Sequence, residues 1–270
     1  TATLNTVTGV MTISGSGKMA DYNVIGQPWV GQKDNIKHLV VENGVTSIGN
    51  NAFSYCTKLI DADMSKALSL RSISTSFWVC EDLNNVELNE GLEVLGKYAF
   101  YECGIERAVL PSTLKKIEES AFYGCESLAQ VLFRGRDRHV EEGCPGEIAF
   151  PATLEKIEYN VFKACPGIRA VWVEEGRRAG VRDSVGRNVV LLSRQTKVGG
   201  QLLWDLRRQK NVAIPEGVQR IEADWFRNSE VESVTIPASV REIGPGAFCR
   251  CHELKRVEFA EDSLLEAVPE

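Results

Sequence analysis

The chain has 270 residues, 43% hydrophobic, 8% aromatic and 25% charged, a composition that belongs to folded globular proteins and excludes a disordered chain. Its longest apolar runs, such as VVLL at residues 189 to 192, fall far short of the roughly 18 to 20 residues a membrane span needs, and the opening TATLNTVTG has neither the charged nor the apolar region of a signal peptide. With 37 acids against 31 bases and a net charge of −6, nucleic acid is disfavoured as a partner.

Residues 1–35 read as an amino-terminal β-hairpin cap. Within it GSGK, at residues 15 to 18, is a poor phosphate loop: such a loop needs Gly where Thr12 stands and Ser or Thr where Met19 stands, so the segment reads as a turn. From residue 36 to residue 270 one phrase recurs. Phe53, Phe77, Phe100, Phe122, Phe162, Phe226 and Phe248 each stand three residues before a Cys, or before Ser229 in one unit, at separations of 24, 23, 22, 40, 64 and 22. Before each Phe comes an apolar pair, as in GVTSI, PSTLKKI, PATLEKI, PEGVQRI and PASVREI; after it comes a strand-like phrase, as in LNNVEL, LAQVLF, IRAVWV, VESVTI and LKRVEF. A unit of 22 to 24 residues built on L-x-x-L-x-L predicts a leucine-rich solenoid.

Positions 1, 4 and 6 of the strand phrase are expected to point inward, and 3, 5 and 7 outward, so that successive strands stack in parallel. The Pro that follows in four units sets a turn, and Ala, Phe and Cys close the far side of each unit. The fold class expected is an α/β-type repeat solenoid, mostly β: a right-handed superhelix of stacked parallel strands joined by short turns or 3-10 segments.

Two stretches break the period, 136–149 (RDRHVEEGCPGEIA) and 177–210. In the second, two apolar runs flank Gly199 and Gly200 and suggest a hairpin. It carries nine Lys or Arg against two Asp, a basic flap on an otherwise acidic solenoid. The closing SLLEAVPE begins another unit, with Leu265 and Val268 as its apolar pair, so the array reads as cut mid-repeat.

The full pattern I-G-x-x-A-F-x-x-C-x-x-L-x-x-V-x-[IL]-P resembles the BspA-like leucine-rich repeat, and GVMTISGSGKMADY with the segment that follows is similar to the stretch that opens such arrays. The resemblance covers residues 9 to 135, 150 to 176 and 211 to 262. It implies a non-enzymatic protein-binding or adhesion module, displayed on a cell surface or secreted, with no catalytic residues or cofactor. The alternative is an intracellular scaffold on the same solenoid, which reduced cysteines would suit. Departures from the pattern at Trp225 and Ser229 predict less regular stacking there.

Two candidate binding sites follow. Position 5 of the strand phrase brings Val109, Leu132 and Trp172 to one outward strip, rimmed by Glu87, Arg107, Arg134 and Glu174. That strip is either an open protein-binding surface or core beneath an insertion. The basic stretch offers Arg177, Arg178, Arg182, Arg187, Arg207 and Arg208 to an acidic protein or glycan, or else is a solvated flap. Of the eight cysteines, Cys56, Cys80, Cys103, Cys125, Cys165 and Cys251 recur at the repeat period and are expected as buried thiols, whereas Cys144 and Cys249 lie off the ladder, paired or free. The spacing Cys249-x-Cys251 does not suit zinc, and His38, His139 and His252 lie too far apart for a triad.

Overall fold

The computed structural model describes residues 1–135, 146–173, 178–186, 189–193, 196–263 and 265, with backbone alone at 178–180 and 204. The chain forms a mostly β solenoid of parallel strands in two compact units, one of residues 1–168 and 177–189, the other of residues 169–176 and 190–270.

In the first unit Ala2–Asn5 and Val10–Ile13 form an antiparallel hairpin, and Val10–Ile13 then starts a parallel ladder with His38–Val41, Asp61–Asp63 and Asn85–Glu87. Arg107–Leu110 and Gln130–Phe133 pair likewise. The inward residues of the strand phrase sit in the core: Leu59, Ala62 and Met64 are at most 1% exposed. The apolar pair before each Phe is also β structure. Val45–Ile48, Ser72–Ile73, Val94–Leu95, Lys116–Ile117 and Lys156–Ile157 make a second parallel ladder, in which Ile48, Ile73, Leu95, Ile117 and Ile157 lie in register. Short turns join these strands, as expected, and among the described residues the 3-10 segment is Val30–Asn35, in the cap. An in-register apolar column buries as well in an extended pair as in a helical turn, and the extended pair also links neighbouring backbones.

Between the ladders the aromatic rings form a column. Trp29, Phe53, Phe77, Phe100, Phe122 and Phe162 stack at centroid separations of 5.3 to 5.6 Å. The cysteines have a defined task beside them. The thiols of Cys80, Cys103, Cys125 and Cys165 donate to the carbonyls of Phe53, Phe77, Phe100 and Phe122 at 2.9 to 3.1 Å, so each satisfies a buried acceptor one rung back. Burial pushes the Cys56, Cys103 and Cys125 thiols well up and that of Cys165 up to about 12, which keeps them protonated rather than reactive thiolates.

Both interruptions prove to contain repeat structure. Residues 136–145 lie outside the described residues, but Glu147–Ala149 is a strand with Ile148 and Phe150 buried, so EIAFP is a strand phrase in the manner of RAVLP. In the second interruption Arg178–Ser184 is a helix that leads into a cryptic turn. The amide of Phe162 donates to Ser184 O at 2.7 Å, as that of Phe122 does to Val161 O at 3.0 Å. Val185 bridges Phe162, and Val189 N donates to Gly186 O as Leu59 N does to Cys56 O. Ser184, Val185, Gly186 and Val189 therefore take the places of Ala, Phe, Cys and Leu in a shortened repeat.

In the second unit Val190–Ser193 pairs in parallel with Ala170–Val173. The predicted hairpin of two long apolar arms is corrected: the first run is this ladder strand, and the second becomes the helix Leu203–Arg207. Among the described residues Lys197–Val198 and Gln201–Leu202 form the hairpin, turning on Gly199 and Gly200, both with positive φ. Asn211–Ala213, Ser233–Ile236 and Arg256–Phe259 continue as a parallel ladder, with Arg220–Ile221 and Glu242–Ile243 as its second ladder. Phe226 and Phe248 stack at 5.2 Å and 9°, so Trp225 and Ser229 do not disturb the column. Ser229 faces Cys251 at 3.5 Å, and the Cys251 thiol makes the usual bond to Phe226 O at 2.9 Å.

Candidate functional site

The position-5 strip is not an open surface. Val109 is half-buried, Leu132 is 5% exposed and Trp172 is 0% exposed. Val109 and Leu132 stand opposite each other in the paired strands. Arg134 reaches back along the array to Glu90 at 3.1 Å and to Leu88 O at 2.8 Å, a strap that ties its own rung to one two phrases earlier. Trp172 lies in the second unit under Arg207, whose guanidinium carbon sits 5.8 Å from the ring centroid. Of the two readings of the strip, the covered one matches the burial of Leu132 and Trp172. Glu174 lies outside the described residues.

The basic stretch is dispersed in role. Arg177 and Arg187 lie outside the described residues, and Arg178 is placed only as the first residue of its helix. Arg182, in the first unit, is exposed and donates to Val189 O at 2.9 Å, closing the cryptic turn. Arg208 is exposed in the second unit. Arg207 is 2% exposed and donates to Trp225 O at 2.6 Å and Arg227 O at 3.1 Å. It is a buried clamp between Trp172 and a turn, which corrects its expected place on a solvent-facing flap.

A surface that the sequence reading passed over runs along the turns of the first unit. The residue after the core Phe is Trp78, Tyr101 and Tyr123 in successive rungs, and Tyr55 stands one place further on in the rung before. Because the Phe ring fills the interior, its neighbour in the turn is directed outward. Tyr55 is 39% exposed and the other three are half-buried against one another. Ring centroids lie 5.4 Å apart for Tyr55 and Trp78, 6.2 Å for Trp78 and Tyr101, and 5.0 Å for Tyr101 and Tyr123. Tyr98 adds an edge contact to Tyr101 at 5.7 Å, and its hydroxyl donates to Glu119 Oε1 at 3.1 Å. Glu119 also binds Lys97 at 3.0 Å and the Tyr159 hydroxyl; that hydroxyl foremost, then Lys97, holds its carboxyl below the ordinary value. Burial, and then the carboxylates of Glu119 and Glu102, raise the Tyr98 and Tyr101 phenols. Aromatic residues directly after a repeating Phe were the available signal, hidden because each fits an x of the motif.

The sequence profile of the BspA type leucine rich repeat region matches in six copies, over residues 22–129, 67–169 and 187–267. Among curated proteins none matches the chain. Among solved structures, the chain is similar to a leucine-rich repeat protein from Eubacterium ventriosum, at 19% identity and TM-score 0.40 over 96% of this chain and 69% of that one. It is similar also to the T. pallidum leucine rich repeat protein, at 21% and 0.44 over 75% and 87%, and to the pneumococcal vaccine antigen PcpA, at 16% and 0.44 over 94% and 67%. With its column of Phe rings, its thiol-to-carbonyl ladder and the profile match along most of its length, this chain belongs to the BspA-type leucine-rich repeat family.

Proposed function

We propose that the chain is a non-enzymatic protein-binding module, displayed on a cell surface or secreted. The observation that carries the binding role is the rung-to-rung alignment of turn side chains that lie outside the Phe column, as in Tyr55, Trp78, Tyr101 and Tyr123. Each repeat adds one residue to a strip at a spacing of about 5 Å, which builds a long, preorganised contact surface from small units. The recurring thiols that could have been nucleophiles are buried donors to Phe carbonyls and contribute to packing. Surface display rests on the resemblance of the repeat phrase and its opening stretch to BspA-like proteins. The second reading, an intracellular scaffold, draws on the same buried thiols, which a reducing compartment would maintain.

Location separates the two. Intact cells that make the protein, treated with a membrane-impermeant biotin reagent or with external protease, are expected to yield labelled or clipped protein, or to release it into the medium. Protein that stays unlabelled and uncut until lysis would contradict display and support the scaffold. In the basic stretch, exposed Arg182 and Arg208 remain proposed contacts for an acidic protein or glycan. Arg208→Glu is expected to weaken such binding and its salt dependence without loss of fold, whereas Arg182→Glu also removes the bond to Val189 O and is read together with stability.

A further inference from the structure

We propose that the aromatic ridge Tyr55–Trp78–Tyr101–Tyr123 is the docking surface for an extended, basic polypeptide segment. This deepens the protein-binding reading by naming a site and a class of partner. Tyr and Trp offer large, rigid contact area at low cost in side-chain entropy, and here neighbouring rings already fix one another before any partner arrives.

The charges beside the ridge give the sign of the partner. Glu102 follows Tyr101 directly, and Glu81 and Glu126 stand three residues after Trp78 and Tyr123; all three are exposed, and none is in an ion pair among the described residues. Of the nearby lysines, Lys58 binds Asp82 at 3.1 Å and Lys97 binds Glu119 at 3.0 Å, while Lys33 and the exposed Lys163, which follows Phe162, bound the ridge at its two ends. Residues 76–128, which carry most of the ridge, hold ten acids and four bases. At the cap end a cation already meets the ridge, for the ammonium of Lys33 lies 5.9 Å from the Tyr55 ring centroid. A partner bearing Arg or Lys extends that arrangement to the later rungs.

Ring orientation argues against a glycan. A sugar stacks on an open ring face, but the rings of Tyr101 and Tyr123 are 4° from parallel and 5.0 Å apart, with their faces turned to each other. Stacked in this way they offer a partner ring edges rather than faces, and the Tyr101 hydroxyl is already bonded to Glu102. A hydroxyl oxygen accepts from an ammonium or guanidinium, and an extended chain advances about 3.3 Å per residue, so alternate side chains can meet successive rungs.

The test uses the whole chain and three soluble probes: an unstructured peptide in which Arg and Lys alternate with Leu, the same peptide with Glu for each Arg and Lys, and a soluble β-glucan. Binding is read by tryptophan fluorescence and calorimetry, self-association by sedimentation, and fold by circular dichroism. The basic peptide alone is expected to bind, more weakly as salt rises. Affinity is expected to fall about tenfold or more in Trp78→Ala/Tyr101→Ala, and several-fold in Glu81→Gln/Glu102→Gln/Glu126→Gln, whose exposed positions leave the fold intact. If the aromatic variant fails to fold, the glutamine variant carries the test. Equal binding of both peptides, binding of neither, or unchanged affinity in the folded variants would overturn the proposal. So would preference for the glucan, or self-association that the ridge substitutions abolish. Failure on any of these counts leaves the display reading standing, because cell-surface labelling does not depend on the ridge.

Discussion

The second residue after each repeating Phe adopts a left-handed conformation: φ is 61° at Tyr55, 58° at Val79, 52° at Glu102, 71° at Gly124, 58° at Ala164, 60° at Asn228 and 59° at Arg250. Gly124 takes this conformation without cost and Asn228 at little cost, whereas a β-branched residue takes it worst. Val79→Gly is therefore expected to raise stability by about 0.5–1 kcal/mol after the loss of a half-buried side chain, as read from denaturant midpoints. Stability unchanged or lowered would mean that Val79 packing outweighs its strain. Cys103 is a second residue-scale test. Cys103→Ala removes the donor to Phe77 O and leaves a buried acceptor unmet, at an expected cost of about 1–3 kcal/mol, whereas Cys103→Ser keeps a donor and is expected to cost less. Acid titration probes the ridge margin. Because Glu119 is held below its ordinary carboxylate value, its contribution is full above the ordinary range and is lost as pH falls through the lowered value. Tyr159→Phe removes the main cause and is expected to flatten the acid side of a plot of melting temperature against pH. The Cys role was legible in the sequence because one residue type recurs at one position. The strained position was not, because only Gly124 and Asn228 carry a local preference for it, while Tyr, Val, Glu, Ala and Arg fill it elsewhere and neighbouring rungs impose it.

At the scale of elements, a repeat was readable wherever its Phe survived and invisible where it did not. Residues 178–193 lack Phe and Cys, so they pass for an insertion, yet Ser184 O receives the Phe162 amide and Val190–Ser193 pairs in full register with Ala170–Val173. What defines a rung is the backbone bond to its neighbour; the motif residues only make that bond easy to recognise. Excising residues 178–189 is accordingly expected to lower the melting temperature sharply and cooperatively, where a surface loop would be lost at little cost. Trp172 illustrates the same limit. The sequence pattern put it at an outward position, but it is fully buried, with Arg207, thirty-five positions later, against its ring, and no local pattern specifies that placement. Trp172→Ala is expected to cost about 3–5 kcal/mol, with the loss seen in thermal unfolding. A loss below about 1 kcal/mol would return Trp172 to the surface.

For the whole molecule, stability in a stacked array comes from each rung's own packing and its contact with the next, so the first unit is expected to be closed beyond Phe162 by Ser184, Val185, Gly186 and Val189. Fold class and family were legible because a period of 22 to 24 residues repeats the same burial pattern. The binding surface was not, since the variable positions that form it are those the repeat leaves free. The most direct test is hydrogen exchange at the Phe162 amide compared with the Phe122 amide. Both donate to the following rung, to Ser184 O at 2.7 Å and to Val161 O at 3.0 Å, so protection of the same order is expected for the two. Exchange at Phe162 as fast as in an open turn, with Phe122 still protected, would mean that the cryptic rung does not form and that the array is broken there.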